Sequence, residues 1–202
     1  MKVKSFGEIV LALLIGLMIY SCSNPLEEDE AEQERIRQDS IEQANLENEL
    51  IDQYIIDNEL SQYEITVTDT GLRYITLDEG PGDKFPELND ILSVDYIGSF
   101  LDNEIFDTSI YDVAEENDMV SSSNPYTPIT YNHTFNGSGI GSTFVPGFKE
   151  GLHAVVPGLS LTGRGLLILP SPIAYGSFGS NSGTIPPNTV IVFEVRLSGI
   201  RP

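Results

Sequence analysis

The sequence has little cysteine, little histidine and few basic residues. Its single cysteine, Cys22, excludes a disulfide within the chain, and with only His133 and His153 a zinc site of Cys and His ligands cannot be assembled. We therefore expect neither a metal site nor a cofactor. Ten Lys and Arg stand against 31 Asp and Glu, which gives a formal net charge of −21. Because such a charge repels phosphate backbones, nucleic-acid binding is not expected.

Long hydrophobic runs are also missing. The longest, residues 9–20, has 12 residues, whereas a membrane-spanning helix needs about 20. Two lysines precede this run and Ser21-Cys22 follows it, an arrangement that resembles the lipobox of bacterial lipoproteins. We therefore predict a lipoprotein signal peptide over residues 1–21, with Cys22 as the acylated N-terminus that anchors the chain to a lipid bilayer. The alternative is an ordinary secretory signal followed by an unused cysteine.

Acidic residues are concentrated behind this cysteine. Residues 23–64 carry 14 Asp and Glu against two Arg. With few apolar residues to offset the entropy of ordering, residues 22–39 are predicted to form a solvated acidic tether. The acidic cluster also resembles the surface-export signal of Bacteroidota lipoproteins, and a merely soluble spacer is the alternative.

Helical periodicity begins where the tether ends. Ser40 and Gln43 fit a capping box, and the apolar residues that follow predict a helix over about 41–59, within a helical extension at residues 40–63. Its apolar stripe could dock on the following domain or pair with a second copy of the chain. The sequence 39–41, Asp-Ser-Ile, also resembles a short O-glycosylation motif of Bacteroidota.

Beyond residue 63 the hydrophobic period changes from 3.6 to 2, which is typical of strands. Candidate strands are residues 63–68, 72–77, 91–97, 128–133, 159–169 and 189–197. The last is an almost continuous apolar run, which predicts a central strand. Only residues 148–155 look helical, and the acid-rich residues 112–118 are predicted to be a surface loop, because they lack the glycine of a calcium loop. We predict an α+β domain at residues 64–202, in which an antiparallel five- to six-stranded sheet wraps around one short helix.

Several blocks of this domain resemble, in order and spacing, the FKBP-type peptidyl-prolyl cis-trans isomerases. They are VDYIG at 94–98, FDTS at 106–109, FVPGFKEGL at 144–152, ILPSPIAYG at 168–176 and IPPNTVIVFEV at 185–195. The resemblance covers roughly residues 64–200 and implies an FKBP-like fold. Together with the acidic lipoprotein leader, it makes the chain similar to membrane-anchored isomerases of Bacteroidota, including those associated with gliding motility.

The resemblance implies an enzyme of the cell envelope, lipid-anchored at the outer membrane, that acts on exported or envelope proteins. It would bind X-Pro segments of its polypeptide clients in an aromatic pocket that favours the twisted amide, and macrolide inhibitors of the family could bind there too. The alternative is a catalytically quiet FKBP-like binding module or chaperone in a membrane-anchored complex.

The family's pocket residues carry over onto matching positions. Phe148 stands at the pocket floor, where tryptophan is common. The walls are Tyr96, Phe106, Val145, Ile185 and Phe193. Tyr175 would donate its hydroxyl and Val145 its backbone N–H to substrate carbonyls, and Asp107 would orient polar groups at the rim. Ile129 is placed where an aromatic wall residue often stands, with Tyr131 as its rival. The alternative for the aromatics is an ordinary sheet core, and for Asp107 a turn cap.

Overall fold

The computed structural model describes residues 25–135, 137, 139–141 and 143–202. Its central element is a seven-stranded antiparallel sheet. The strands are β1 (Ile65–Val67), β2 (Arg73–Asp78), β3 (Ile91–Ser99), β4 (Ile105–Thr108), β5 (Ile129–Asn132), β6 (Arg164–Leu169) and β7 (Ile191–Arg201). Their order is β1-β2-β6-β7-β3-β4, and β5 also pairs with β3. The predicted α+β architecture is confirmed, with seven strands in place of five or six.

The strand β7 lies in the middle of this sheet, between β6 and β3. In its pairing with β3, Arg201 lies opposite Ile91 at one end and Val192 lies opposite Ser99 at the other. Both faces are covered at β6 and at the start of β7, residues 191–193, which explains why these stretches are continuously apolar, whereas the rest of β7 alternates between buried and more exposed residues. The prediction of a central strand is confirmed.

On one face, the sheet packs against helix α3 (Pro146–Val155). Phe148, Leu152 and Val155 of this helix are buried against side chains such as Leu167 and Val195. Pro146 occupies the first helical turn, where its missing N–H costs nothing and its fixed φ favours the helix. This helix carries Phe148, the predicted pocket floor, into the domain interior.

The opposite face is covered by the C-terminal part, from Ile51 onward, of helix α1 (Pro25–Asp57). Ile51, Tyr54 and Ile55 pack there with Ile75 and Ile168, among others, in a second buried cluster. Burial of one side chain like Ile51 contributes about 1.5–3 kcal/mol relative to exposure. The sequence left two alternatives open for the apolar stripe, docking on the following domain or pairing with a second copy of the chain. Ile51, Tyr54 and Ile55 dock on the following domain.

Helix α1 begins at Pro25, much earlier than the predicted start at residue 41. Residues 25–39 of the predicted solvated tether are therefore helical, which the low hydrophobicity did not predict, and residues 29–39 are exposed as expected. Ser40 is not a cap, since its hydroxyl donates a 2.8 Å hydrogen bond to the Ile36 carbonyl inside the helix. The chain divides into two compact units between Gln43 and Ala44, and all the contacts of α1 with the sheet described above lie in the second unit.

A second short helix, α2 (Tyr111–Glu116), forms where a surface loop was predicted. It follows β4 directly, and Ala114 is its buried residue. The predicted signal peptide over residues 1–21 and the predicted lipidation site Cys22 lie outside the described residues. Within the described ranges, no helix combines the length and the hydrophobicity that crossing a membrane requires.

Candidate active site

A cleft opens between α3, the strands β3, β4 and β7, and the segment that follows β6. It encloses a cavity of about 50 Å³. Its lining residues are Tyr96, Phe106, Asp107, Thr143, Phe144, Val145, Phe148, Tyr175 and Phe193. Seven of the nine were predicted as site residues from widely separated parts of the sequence, and the fold brings them together.

Aromatic rings form the floor and walls of the cleft. Phe148 is 2% exposed, and its ring centroid lies 4.6 Å from that of Phe193, 5.4 Å from Phe144 and 5.9 Å from Tyr96. Phe106 meets Phe193 edge to face at 5.8 Å. Tilted and edge-on aromatic pairs of this kind stabilise one another beyond their buried area. The floor is therefore both apolar and rigid.

Gly98 on β3 allows the rings to approach each other. A Cβ atom at this position would lie 2.8 Å from Phe106 Cζ and 2.8 Å from Phe193 Cε1, closer than side-chain atoms can stand. Any larger residue would push at least one ring out of place. The glycine in the VDYIG block thus has a packing reason that the sequence did not reveal.

Tyr96 and Asp107 form the polar edge of the cleft. They lie on neighbouring strands, and the Tyr96 hydroxyl donates a 2.8 Å hydrogen bond to Asp107 Oδ2. Burial, followed by the nearby Asp107 carboxylate, raises the pKa of Tyr96 above its ordinary value. Tyr96 therefore stays protonated at neutral pH, and its proton is directed to Asp107 rather than into the cleft.

Two hydrogen-bond donors remain for a ligand. Tyr175 is 36% exposed, and among the described residues its hydroxyl has no hydrogen-bond partner. Burial and the nearby Asp107 raise the pKa of Tyr175, so the hydroxyl keeps its proton. The second donor is the backbone N–H of Val145, which precedes α3 in extended conformation and has no acceptor in the described part of the chain. Both residues line the cleft.

Two predicted wall residues lie outside the described lining of the cleft. Ile185 is 4% exposed in the core, and its N–H donates to Ser180 Oγ at 2.8 Å. Ile129 is half-buried on β5, paired with Val94. Tyr131, the rival for the same position, is also a core residue. Substrate contacts by Ile129 and Ile185 stay predictions.

The prediction missed two residues of the lining, Thr143 and Phe144. Phe144 was part of a quoted block but received no role. Its position one turn before Phe148 was a usable signal, because residues four apart near a helix start come close together. Thr143 carries no comparable signal in the sequence.

No cluster of three or more His, Cys, Asp or Glu that could hold a metal ion occurs among the described residues. The cleft offers aromatic rings, one carboxylate and two neutral donors. This set can bind a small apolar ring and hold the carbonyls beside it.

Comparison with known proteins identifies the family. Residues 82–198 match the model of the FKBP-type peptidyl-prolyl cis-trans isomerases, which is more than half of the chain. The chain belongs to this family. FkpA of Escherichia coli K12, an FKBP-type peptidyl-prolyl cis-trans isomerase, is 30% identical over 138 residues, which are 68% of this chain and 41% of FkpA. The chain thus matches less than half the length of that relative.

Other FKBP relatives match over most of their own length. FK506-binding protein 1 of Candida glabrata is 28% identical over 127 residues, which cover 63% of this chain and 90% of that protein. The crystal structure of a peptidyl-prolyl isomerase from Pseudomonas syringae superposes with a TM-score of 0.50 at 19% identity, and covers 81% of this chain and 96% of that one. At this identity the likeness shows the fold, and it confirms the FKBP-like architecture.

Proposed function

We propose that the chain catalyses cis-trans isomerisation of X-Pro bonds in the aromatic cleft. The observation that carries this proposal is the combination of a closed aromatic floor around Phe148 with two donors, Tyr175 and Val145, that have no acceptor among the described residues. A proline ring is the side chain that such a small apolar slot suits. The carbonyls on either side of it are acceptors within reach of two donors at the rim.

The reaction needs no nucleophile. Rotation about an X-Pro bond has a barrier of about 18–20 kcal/mol, because the twisted amide loses its resonance. A planar amide is more polar than a twisted one, and a dry pocket therefore favours the twisted form. The packed aromatic rings around Phe148 and Phe193 exclude water from the bound proline. Tyr175 and Val145 hold the flanking carbonyls during rotation.

The role proposed for Asp107 is electrostatic. Tyr96 holds its carboxylate in place beside the cleft. A fixed carboxylate next to the bound amide sets the local field and orients polar groups at the rim. This role is an orienting one, in which no proton moves.

We further propose that the protein is a lipoprotein of Bacteroidota type that serves exported or envelope proteins as clients. The support lies in the sequence, in the apolar run at residues 9–20, the Ser21-Cys22 junction and the acidic residues behind it. Lipid attached to Cys22 would hold the enzyme at the outer membrane. Uncatalysed proline isomerisation takes tens to hundreds of seconds, so exported clients would gain from an enzyme there.

The test of the anchor is the variant Cys22→Ala. It should move the protein from the membrane pellet to the soluble fraction of the envelope and leave its thermal unfolding unchanged. Unchanged partition into the membrane would refute the lipid anchor.

The test of the activity is a proline-limited refolding assay with the full chain. We expect the protein to accelerate the slow refolding phase at micromolar concentration. FK506, the ligand that appears in the name of the Candida relative, should inhibit this acceleration. Absence of acceleration would refute the enzymatic proposal. Inhibitor binding without acceleration would indicate the binding module instead.

A further inference from the structure

One carboxylate of helix α1 is buried, although its neighbours in the helix are exposed. Glu47 is 1% exposed, whereas Glu49, Asp52 and Asp57 face solvent. A carboxylate taken out of water is costly unless it receives hydrogen bonds. Glu47 receives two from Ser171: the backbone N–H donates to Oε2 at 2.8 Å and the hydroxyl donates to Oε1.

Ser171 begins the short segment that leads to the cleft. It opens the 3-10 helix Ser171–Ile173, which follows β6, and Tyr175 comes four residues later. The N–H at the start of such a helix has no partner within the helix, and Glu47 supplies one. Ser171 is itself 2% exposed, so this hydrogen-bonded pair is closed off from water.

The same segment is fixed on its other side by α3. A Cβ atom at Gly147 would lie 2.8 Å from Ile173 Cδ1 and 3.0 Å from the Ile173 carbonyl oxygen. Ile173 therefore packs directly on the helix turn between Val145 and Phe148. Residues 171–175 are held between Glu47 and the start of α3, and this geometry sets where the Tyr175 side chain enters the cleft.

Helix α1 provides a firm support for Glu47. One turn further along, Ile51 is fully buried against the sheet. On the turn between them, Asn48 accepts a 3.0 Å hydrogen bond from Arg73 of β2. The position of Glu47 is thus fixed by packing and by a hydrogen bond on neighbouring residues.

We propose that Glu47 is a positioning residue for the isomerase site, acting through Ser171 on the placement of Tyr175. The inference rests on the proposed function. It assigns to a helix outside the FKBP sequence match, which begins at residue 82, a part in the working geometry of the cleft.

The test is a double-mutant cycle in the full chain. Glu47→Ala should lower kcat/KM for a proline peptide about threefold to tenfold, the loss expected when one hydrogen bond is misaligned. In the Tyr175→Phe background the same change should have no further effect, since the hydroxyl to be positioned is gone. Ser171→Ala, which removes only one donor, should give a smaller loss with the same dependence on Tyr175.

The matched control is Ile55→Ala, which lies two turns beyond Glu47 on the same helix and is buried against the sheet, but is not one of the residues that hold Glu47 or Ser171 in place. It should lower the melting temperature and leave kcat/KM unchanged in both backgrounds. Amide hydrogen exchange gives a readout independent of catalysis: Glu47→Ala should speed exchange at Ser171 and Ala174 more than Ile55→Ala does.

Two results would overturn the proposal. One is an equal fractional loss of kcat/KM in the presence and absence of the Tyr175 hydroxyl. The other is unchanged exchange at Ser171 and Ala174. If the unmutated chain had no isomerase activity, the proposed function would fail, and the exchange measurement would still show whether Glu47 fixes the segment.

Discussion

The Tyr96 hydroxyl donates a 2.8 Å hydrogen bond to Asp107 across two adjacent strands at the edge of the cleft. Tyr96 also contributes its ring to the aromatic floor, 5.9 Å from Phe148. One side chain therefore links the apolar pocket to Asp107, the one carboxylate in its described lining. Removing the hydrogen bond between the two residues therefore tests how the cleft is organised.

Tyr96→Phe should keep the ring and release Asp107. Hydrogen bonds to charged groups contribute about 1.5–3 kcal/mol, and the free energy of unfolding should fall by that order. We also expect a severalfold loss of kcat/KM, because the carboxylate is no longer held. The matched control is Tyr111→Phe, whose hydroxyl makes a long, exposed contact of 3.4 Å with Glu115. Equal stability of the two variants would contradict the role of the Tyr96 hydrogen bond.

Tyr175→Phe removes a hydroxyl that bonds nothing in the described protein. Its unfolding temperature should therefore stay the same, while kcat/KM falls about threefold to tenfold, as expected for loss of one hydrogen bond to substrate. Tyr63, which is also 36% exposed but lies outside the cleft, gives the control Tyr63→Phe. Unchanged activity of Tyr175→Phe in a peptide assay would remove this residue as a donor.

Phe148→Trp distinguishes a pocket floor from an ordinary core position. The larger ring can extend into the cavity, so we expect a change in unfolding free energy below about 1.5 kcal/mol. Leu152→Phe, one turn further along and fully buried, should cost about 1–3 kcal/mol by overpacking. The sequence contains no tryptophan, so this indole would also report ligand binding by fluorescence. If Phe148→Trp is strongly destabilised and its fluorescence does not change when ligand is added, Phe148 is a core residue and not part of the pocket.

The free energy of unfolding of the domain should depend on pH through protonation of His133. Burial, followed by the neighbouring His153, lowers the pKa of His133, and Asp90 opposes the shift. In the unfolded chain the imidazole takes its proton at about pH 6.5, before the folded chain does. The free energy of unfolding should therefore fall as pH decreases below about 6.5.

His133→Gln removes this titration and supplies the comparison. Denaturant unfolding of both proteins between pH 8 and pH 5 measures the difference. The quantity compared is the free energy of unfolding of the unmutated protein minus that of His133→Gln. It should be constant above about pH 7 and should decrease below about pH 6.5, where the unmutated protein loses stability. Parallel pH profiles would contradict a lowered pKa for His133.

The sheet and most of the cleft could be predicted because their signals are local. Alternating β-branched and apolar residues predicted the long strands. The motif blocks contain Tyr96, Phe148, Tyr175 and Phe193, which the structure brings together in one cleft. The strand β4 was missed because its four residues, Ile-Phe-Asp-Thr, set two apolar residues before two polar ones and show no alternation. Ile185 and Ile129 fell outside the described cleft lining because motif matching gives the position in the chain and leaves the side-chain direction open.

The N-terminal helix was underestimated for a different reason. Residues 22–39 were judged by their low hydrophobicity, which describes packing and ignores intrinsic helix propensity. Glu, Gln, Ala, Leu and Arg are good helix formers, and pairs such as Arg35 with Glu32 at 2.7 Å and Gln38 with Glu34 at 2.6 Å add local support. Glu47 could not be singled out at all, since it is one of 14 acidic residues in this part of the sequence.

The central claim is that the aromatic cleft catalyses rotation about X-Pro bonds. The most direct measurement is NMR exchange spectroscopy of a proline peptide with a catalytic amount of the full chain, with and without FK506. The account predicts exchange cross-peaks between the cis and trans forms that appear with the protein, weaken with Tyr175→Phe and vanish with the inhibitor. A peptide that binds in the cleft, displaced by FK506, yet shows no enhanced exchange would contradict it.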